Sequence, residues 1–279
     1  MPQLGMIAGA GELPEIIARQ AYQSGQPIPT VALSARVATQ LTPYCPCLVS
    51  YAPGQLTKII RALQQHDVKQ VMVVGKVSKQ LLFASPRLDL RALRVLGRAR
   101  DYRDMTLLHA FLAEFAREGL EVVEQTRLLS HLLAPEGVLG GRQPSKREWD
   151  DIGYGFAQAR RLAAMDIGQT IVLRQRTVLA VEAVEGTDAA IQRGCSLGRR
   201  GAVVVKTSRP QQDRRFDVPT IGPRTVQELI AGHATVLAVE AGATLIIRLP
   251  ELVATATAHR IALVGVSPAL LQQMGVEGD

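Results

Sequence analysis

The chain has 279 residues, of which 47% are hydrophobic and 20% charged, and its formal net charge is +7. This length suits one large domain or two modest ones, and the composition excludes disordered, collagen-like and coiled-coil proteins. The basic charge favours an anionic partner such as phosphate, nucleic acid or an acidic membrane face. Nucleic acid is the weakest of these, because only 4% of the residues are aromatic and can stack on bases.

Strands and helices alternate through the first half of the chain. Uninterrupted apolar runs predict strands at 4–8, 31–33, 71–74 and 120–123. Apolar residues at helical spacing predict the helices, marked by Leu13, Ile16, Ile17 and Ala21, by Leu56, Ile59, Ile60 and Leu63, and by Leu108, Phe111, Leu112 and Phe115. This order predicts a Rossmann-like, mainly parallel α/β sheet that binds ligands at the carboxyl ends of its strands.

A turn-rich stretch divides the chain. Between 133 and 145 the pattern gives way to Pro135, Gly137, Gly140, Gly141 and Pro144, which is typical of a linker. We therefore predict domains at 1–132 and 146–279. In the second domain the predicted elements are a helix at 151–164 and strands at 170–173, 177–181, 202–205, 235–239, 243–247 and 261–264, with short helices between them. The hairpin among these strands predicts a mixed α/β sheet.

The first strand leads into a helix through a glycine turn. Gly9, Ala10, Gly11 and Glu12 form this turn, in which the backbone can approach a phosphate and the helix start supplies N–H donors. A tight turn without a ligand is the alternative. A dinucleotide site is disfavoured, because Pro14 stands where a third glycine belongs and no ribose-binding acid follows the second strand. No G-K-[S/T] follows, so the turn is not a P-loop.

Two further candidates follow in the first domain. Gly75 and Lys76 come directly after the strand 71–74, where the lysine would contact phosphate or uridine, or remain a solvated loop residue. Asp104 opens the next predicted helix, where its alternative role is to cap the helix.

The second half gathers three carboxylates within seven residues. Glu182, Glu185 and Asp188 lead from a strand into a helix start, together with Thr187. Carboxylates and substrate phosphates are the ligands that Mg²⁺ prefers, so the pattern favours a diphosphate-cleaving site. Capping of the helix by Thr187 and Asp188 is the alternative.

A basic stretch and another acid come later in the chain. Lys206 follows the strand 202–205, Arg209 comes soon after, and Asp217 precedes a V-P-T-I-G turn. Cations that offset phosphate charge, beside an acid that holds metal or positions water, suit phosphoryl chemistry. A structural role in the turn is the alternative for Asp217.

Other features exclude competing chemistries. Cys45, Cys47 and Cys195 have a spacing that gives neither a disulfide framework nor a four-ligand zinc site. The histidines show no paired spacing, which disfavours a histidine-centred mechanism. The N-terminal sequence lacks the pattern of a signal peptide, so we expect a cytoplasmic protein.

Six ordered segments carry a family resemblance: LGMIAGAGELP, VVGKVS, MDIGQTIVL, VLAVEAVEGTDAA, VVVKTSRP and FDVPTIGPRTV. Over nearly its whole length the chain resembles the UDP-2,3-diacylglucosamine diphosphatases of lipid A biosynthesis, in the family without a calcineurin-like phosphoesterase fold. The resemblance implies a cytoplasmic, Mg²⁺-dependent hydrolase that yields UMP and 2,3-diacylglucosamine 1-phosphate. It also implies that the first domain binds the nucleotide and the second the acylated sugar.

The resemblance also implies roles for individual residues. The family's critical aspartate corresponds to Asp217, which would activate water or hold Mg²⁺. Its E-G-T-D acids correspond to Glu185 and Asp188, which would hold metal or position water for catalysis, with Asp188 as the second metal candidate. Lys206 would stabilise phosphoryl charge. The residues predicted to bind UDP or the rest of the substrate are Gly9, Ala10, Gly11, Glu12, Gly75, Lys76, Asp104 and Thr187.

Two positions depart from the family pattern and keep alternatives open. Lys76 replaces the asparagine of G-N-V-S, and the family's paired acids appear here as Asp104 and Met105. A non-catalytic nucleotide or acyl-sugar carrier is therefore the alternative function, whereas a nicotinamide-dependent oxidoreductase rests on the first glycine turn alone. The expected partners are a UDP-linked acylated sugar and, transiently, the inner membrane surface, without nucleic acid. A homodimer is left open.

Overall fold

The computed structural model of the protein describes residues 3–76, 88–98 and 104–276. The chain divides into two compact units, Met1–Leu128 with Arg214–Phe216, and Leu129–Asp213 with Asp217–Asp279. The first unit contains a parallel sheet and the second a mixed sheet, each with helices. The predicted fold class is therefore confirmed.

The first unit is built on five parallel strands. They are β1 (Gln3–Ala8), β2 (Thr30–Ala32), β3 (Leu48–Ser50), β4 (Val68–Val74) and β5 (Glu121–Val122). The helices are α1 (Leu13–Gln23), α2 (Ala35–Leu41), α3 (Leu56–Gln64), α4 (Leu90–Arg98), α5 (Asp104–Arg117) and α6 (Thr126–Leu129). The sheet order is β3-β2-β1-β4-β5. Chain order reverses between β1 and β4, and such a switch point is where open parallel sheets bind ligands.

The core of the first unit follows from the predicted periodicity. In α3 the residues Leu56, Ile59, Ile60 and Leu63 are all buried, because a helical repeat brings them to one face. Sequence reasoning missed α2. Ser34 caps the start of this helix, where its hydroxyl oxygen accepts a hydrogen bond from the Val37 N–H at 3.3 Å. This helix is too short for its apolar spacing to be distinguished from a loop.

The second unit contains a six-stranded mixed sheet. Its strands are β6 (Gly137–Gly140), β7 (Thr170–Arg174), β8 (Thr177–Val181), β9 (Val203–Lys206), β11 (Val236–Glu240) and β13 (Ala262–Val266), while β10 (Thr220–Ile221) and β12 (Leu245–Ile246) form a separate parallel pair. The order is β6-β13-β11-β9-β7-β8. The three central strands β13, β11 and β9 are parallel, and β6, β7 and β8 are antiparallel to their neighbours.

Helices cover both faces of the second sheet. They are α7 (Lys146–Ala164), α8 (Thr187–Gly198), α9 (Pro223–Ala231), α10 (Leu249–Ala258) and α11 (Pro268–Gln273). Successive side chains of a strand point to opposite faces, and Val204 accordingly packs in one core with α8, α9 and α10. Val203 and Val205 pack in the other, with α7 and α11. None of the helices described here is long and apolar enough to cross a membrane.

Two predictions about the second half are corrected by the sheet. The stretch 133–145 is not simply a linker, because Gly137–Gly140 forms β6 and pairs with β13. A short strand at a sheet edge tolerates the glycines that suggested a linker. The strand predicted at 243–247 shortens to Leu245–Ile246 and pairs with β10 outside the main sheet.

An ion pair and a capping box fix the start of α7. The Ser145 hydroxyl oxygen accepts from the Glu148 N–H at 3.4 Å, and Glu148 Oε2 accepts from the Ser145 N–H at 2.8 Å. Arg142 Nη1 also donates to Glu148 Oε2 at 2.8 Å. Burial opposes ionisation of Glu148, but the hydrogen bonds from Arg142 and Ser145 outweigh it and lower the pKa from 4.5 to about 2.

The Glu148 carboxylate should therefore stabilise the fold in a pH-dependent way. Because its folded pKa lies below the unfolded value, its contribution is present above about pH 4.5 and is lost as the pH falls toward 2. Glu148→Gln should lower the free energy of unfolding by roughly 2–3 kcal/mol at pH 7 and by roughly half as much at pH 3. Urea unfolding at both pH values measures this difference.

The control for this prediction is Glu251→Gln, which removes an exposed carboxylate 3.4 Å from Arg248. An exposed pair contributes only about 0–1 kcal/mol, so this variant should change stability little at either pH. An equal loss for Glu148→Gln at pH 7 and pH 3 would contradict the electrostatic explanation.

Candidate functional site

The glycine turn after β1 is joined to the residues that follow β4. The Gly9 N–H donates to Val74 O at 2.7 Å, the Ala10 N–H donates to Lys76 O at 2.9 Å, and the Lys76 N–H donates to Ala10 O at 2.7 Å. A Cβ on Gly9 would lie 2.6 Å from Lys76 O, so glycine is required for this close approach. The structure thus brings together two segments that sequence analysis selected separately.

This pair of segments has exposed groups at the switch point of the sheet. Ala10, Gly11 and Lys76 are exposed, and Gly75 has a φ of +88°, which favours glycine. Glu12 is the N-cap residue of α1, and its side chain makes no capping hydrogen bond. The turn therefore presents main-chain atoms, a helix start and a cation at one edge, an arrangement suited to phosphate.

The prediction for Asp104 concerns a side chain that the structure does not describe. The helix α5 begins at Asp104, but the side chains of 104–108 lie outside the described residues. The predicted contact of Asp104 with the substrate therefore stays a prediction. Val77 and Ser78 of the G-K-V-S segment also lie outside the described ranges.

In the second unit Lys206 lies in a buried polar cluster at the end of β9. Its side chain is only 8% exposed, and Nζ donates to Thr187 Oγ1 at 2.9 Å and to Thr170 Oγ1 at 3.3 Å. The Thr187 hydroxyl donates in turn to Glu182 Oε1 at 2.7 Å, and Glu182 Oε2 is 3.8 Å from Lys206 Nζ. The predicted residues Lys206 and Thr187 are thus in direct contact.

The three neighbouring acids do not converge as the sequence suggested. Glu182 faces Lys206, whereas Glu185 Oε1 lies 2.6 Å from Arg193 Nη2 and Asp188 Oδ2 lies 2.8 Å from Arg224 Nε. A hydrogen bond from its own backbone and one from Arg193 lower the pKa of Glu185. The acids diverge because they lie after a strand, in a loop and in a helix, which give their side chains different directions.

Asp217 is paired with an arginine of the same unit. Arg209 Nη1 lies 2.6 Å from Asp217 Oδ2, and Arg209 Nε lies 2.9 Å from Asp166 Oδ1. The Asp217 side chain is 58% exposed, so solvent and ligands can reach it. Within the described part of the chain no hydrogen bond or ion pair engages its Oδ1 atom.

The carboxylates can serve a metal ion only as separate ligands. Among the described residues, no group of three or more His, Cys, Asp or Glu side chains is placed to hold a metal. Mg²⁺ commonly takes one or two carboxylates, with water and phosphate oxygens as its other ligands. Asp217 and Asp188 each have Oδ2 against an arginine, but Asp217 fits the role better because its side chain is 58% exposed and that of Asp188 is 30% exposed.

Sequence reasoning missed Gln125, which holds the segment before Asp217. Gln125 is buried, and its Nε2 donates to Val73 O at 2.8 Å and to Phe216 O at 3.0 Å. Its backbone N–H also donates to Arg214 O at 3.0 Å, so the main chain and side chain of Gln125 together hold the segment 214–216 in the first unit. The sequence offers no signal for such a role, because an isolated glutamine fits no motif.

Two family models and a relative match the chain. The models are the LpxI N-terminal domain, over residues 3–132, and the LpxI C-terminal domain, over 135–264. The chain belongs to the LpxI family. A relative from Caulobacter vibrioides, named UDP-2,3-diacylglucosamine pyrophosphatase LpxI, is 32% identical over 279 residues, which cover 96% of this chain and 99% of the relative. The family expected from the six sequence segments is thereby confirmed.

The LpxI domain models include the segments described above. The N-terminal model contains the glycine turn and Lys76, and the C-terminal model contains Lys206, Arg209 and Asp217. The two models meet between residues 132 and 135, close to the division of the units at Leu128 and Leu129. The substrates assigned to the two domains remain predictions.

Gly9→Ala should disrupt the joined turn of the first unit. The added methyl group would lie 2.6 Å from the backbone oxygen of Lys76. This oxygen cannot move away as the end of a flexible side chain could. We expect a loss of roughly 2–3 kcal/mol in the free energy of unfolding, measured with urea. Gly97→Ala is the matched control, since nothing lies within 4 Å of its added Cβ. Equal stability of the two variants would contradict the assignment.

The buried cluster around Lys206 predicts non-additive stability. Lys206→Met leaves the Glu182 carboxylate buried without its cation and should cost roughly 3 kcal/mol. The double variant Lys206→Met/Glu182→Gln removes both charges and should be more stable than Lys206→Met alone. Thermal unfolding of the parent, the single variants and the double variant measures this coupling. Additive losses would show that the two charges do not depend on each other.

Proposed function

We propose that this protein hydrolyses the diphosphate of UDP-2,3-diacylglucosamine to UMP and 2,3-diacylglucosamine 1-phosphate, a step in lipid A biosynthesis. The observation that carries the proposal is the 32% identity, over 96% of the chain, to the named pyrophosphatase. The two LpxI domain models support it, since together they match most of the chain.

The nucleotide end of the substrate would bind to the first unit. Gly11 and Glu12 would offer the backbone and the start of α1 to the UDP phosphates, and Lys76 would add positive charge. Ala10 would support the site by holding Lys76 through the two hydrogen bonds between their backbones. Gly9 and Gly75 would act indirectly, by permitting the close approach of the two segments. Asp104 is retained as a candidate contact because it opens α5.

The hydrolytic residues would come from the second unit. Asp217 would orient the attacking water by accepting its hydrogen bond at Oδ1, while Arg209 holds Oδ2. Lys206 and Thr187 would contribute positive charge and a hydroxyl group at the end of β9. Glu185 and Asp188 would position water or ligand from the start of α8.

A divalent ion would complete this chemistry. Asp217 or Asp188 would hold Mg²⁺ together with diphosphate oxygens. The ion would supply Lewis-acid chemistry, drawing electron density away from the phosphorus that is attacked. Activity in Mg²⁺ that is lost in EDTA and restored by added Mg²⁺ would support this assignment, and unchanged activity in EDTA would oppose it.

We also propose where the protein works. The protein would be a cytoplasmic enzyme, and its amphiphilic substrate and net charge of +7 favour transient contact with the anionic inner membrane surface. A homodimer stays an open prediction, which light scattering of the purified protein would test.

The decisive assay follows UMP release from UDP-2,3-diacylglucosamine in the presence of Mg²⁺. Asp217→Asn should lower kcat by roughly 100-fold or more, because the amide loses the charge that orients water. Asp150→Asn on α7 is the matched control and should retain full activity. Absence of UMP release by the parent, or full activity of Asp217→Asn, would refute the proposed function or the role of Asp217, respectively. Co-purified acylated sugar without turnover would instead favour the carrier.

A further inference from the structure

Asp217 lies in a segment that regular secondary structure does not hold. The residues from 207 to 219, all of which are described, form neither helix nor strand between β9 and β10. The Asp217 side chain is 58% exposed, so burial alone does not fix its direction. Orientation of this carboxylate must therefore come from specific hydrogen bonds.

Arg209 supplies the side-chain contact from a more buried position. Its side chain is 28% exposed, and Nη1 lies 2.6 Å from Asp217 Oδ2. Asp166 Oδ1 lies 2.9 Å from Arg209 Nε, and the Gln169 side-chain oxygen accepts from Nη1 at 3.1 Å in the amide orientation that also lets Gln169 donate to Thr207 O. The guanidinium group is thus held by Asp166 and Gln169 as well as by Asp217.

Gln212 links Arg209 to the backbone of Asp217 through two further hydrogen bonds. The Arg209 N–H donates to Gln212 Oε1 at 3.0 Å, and Gln212 Nε2 donates to Asp217 O. Arg209 and Gln212 therefore hold Asp217 through its side chain and its main chain. The planar guanidinium suits such a contact, because Nη1 donates a directed, charge-assisted hydrogen bond to Asp217 while Nε stays within ion-pair distance of Asp166.

We propose that Arg209 is a positioning residue that orients the Asp217 carboxylate for hydrolysis. This inference rests on the proposed function, in which Asp217 acts on water or metal. Arg209 holds Oδ2 and so directs Oδ1 toward the reacting group. Nη1 is engaged by Asp217 and Gln169, and Nε forms an ion pair with Asp166 that lacks hydrogen-bond geometry, so two of the three guanidinium nitrogens face these residues, which favours an indirect role.

A double-mutant cycle separates this role from direct binding of the substrate. Arg209→Gln should lower kcat by roughly 30–100-fold while KM changes less than about threefold, because orientation acts on the chemical step. Arg209→Gln/Asp217→Asn should be no slower than Asp217→Asn alone, within about threefold, since Arg209 acts only through Asp217. Steady-state UMP release gives all four rates.

Conservative and neighbouring variants sharpen the cycle. Arg209→Lys keeps the charge, but its single amine cannot reproduce the two directed contacts, so its kcat should lie between those of the parent and Arg209→Gln. Asp166→Asn should reduce kcat only several-fold, because Gln169 and Asp217 still contact the guanidinium. The control Arg147→Gln, which removes an exposed arginine of α7, should match the parent.

Each outcome bears on a different claim. Multiplied losses in the double variant, a raised KM with unchanged kcat, or a normal Arg209→Gln rate would overturn the positioning role. Full activity of Asp217→Asn would instead refute the site in the proposed function and leave the parent activity standing. Urea midpoints show whether Arg209→Gln folds; if it does not, Arg209→Lys takes its place in the same cycle.

Discussion

The direction of the parallel strands is the constraint on which both candidate sites depend. Parallel strands end at the same edge of a sheet, and the chain must leave that edge through loops longer than a hairpin. In the first unit this edge joins the residues after β1 to those after β4. In the second unit it brings Lys206 at the end of β9 near Glu240 at the end of β11, whose carboxylate accepts hydrogen bonds from Ser208.

Charge is arranged in the second unit as separate pairs of an acid with a base. Asp188 forms an ion pair with Arg224, Asp217 forms one with Arg209, and the buried Lys206 forms one with Glu182. Buried charges cost less when they are paired, which explains why Lys206 can lie at the end of a strand whose other residues are apolar. The exposed pairs fix directions more than they add stability, because water screens them.

The sequence predicted what depends on local periodicity and missed what depends on tertiary contact. The repeat of Leu56, Ile59, Ile60 and Leu63 predicted α3, and the uninterrupted apolar run predicted the C-terminal part of β4. The glycines at 137 and 140 suggested a linker, since nothing local reveals that they pair with β13. Likewise, Thr170 and Lys206 contact each other across 36 residues, and Glu185 and Asp188 diverge although they are close in sequence.

The central claim is that this chain cleaves a diphosphate bond by attack of water, and isotope transfer tests it most directly. Purified protein should be incubated with UDP-2,3-diacylglucosamine and Mg²⁺ in ¹⁸O-labelled water, and the products analysed by mass spectrometry. The account predicts that one labelled oxygen enters a single product, either UMP or the sugar 1-phosphate, at each turnover. Recovery of intact substrate bound to the protein, without label in either phosphate, would contradict it.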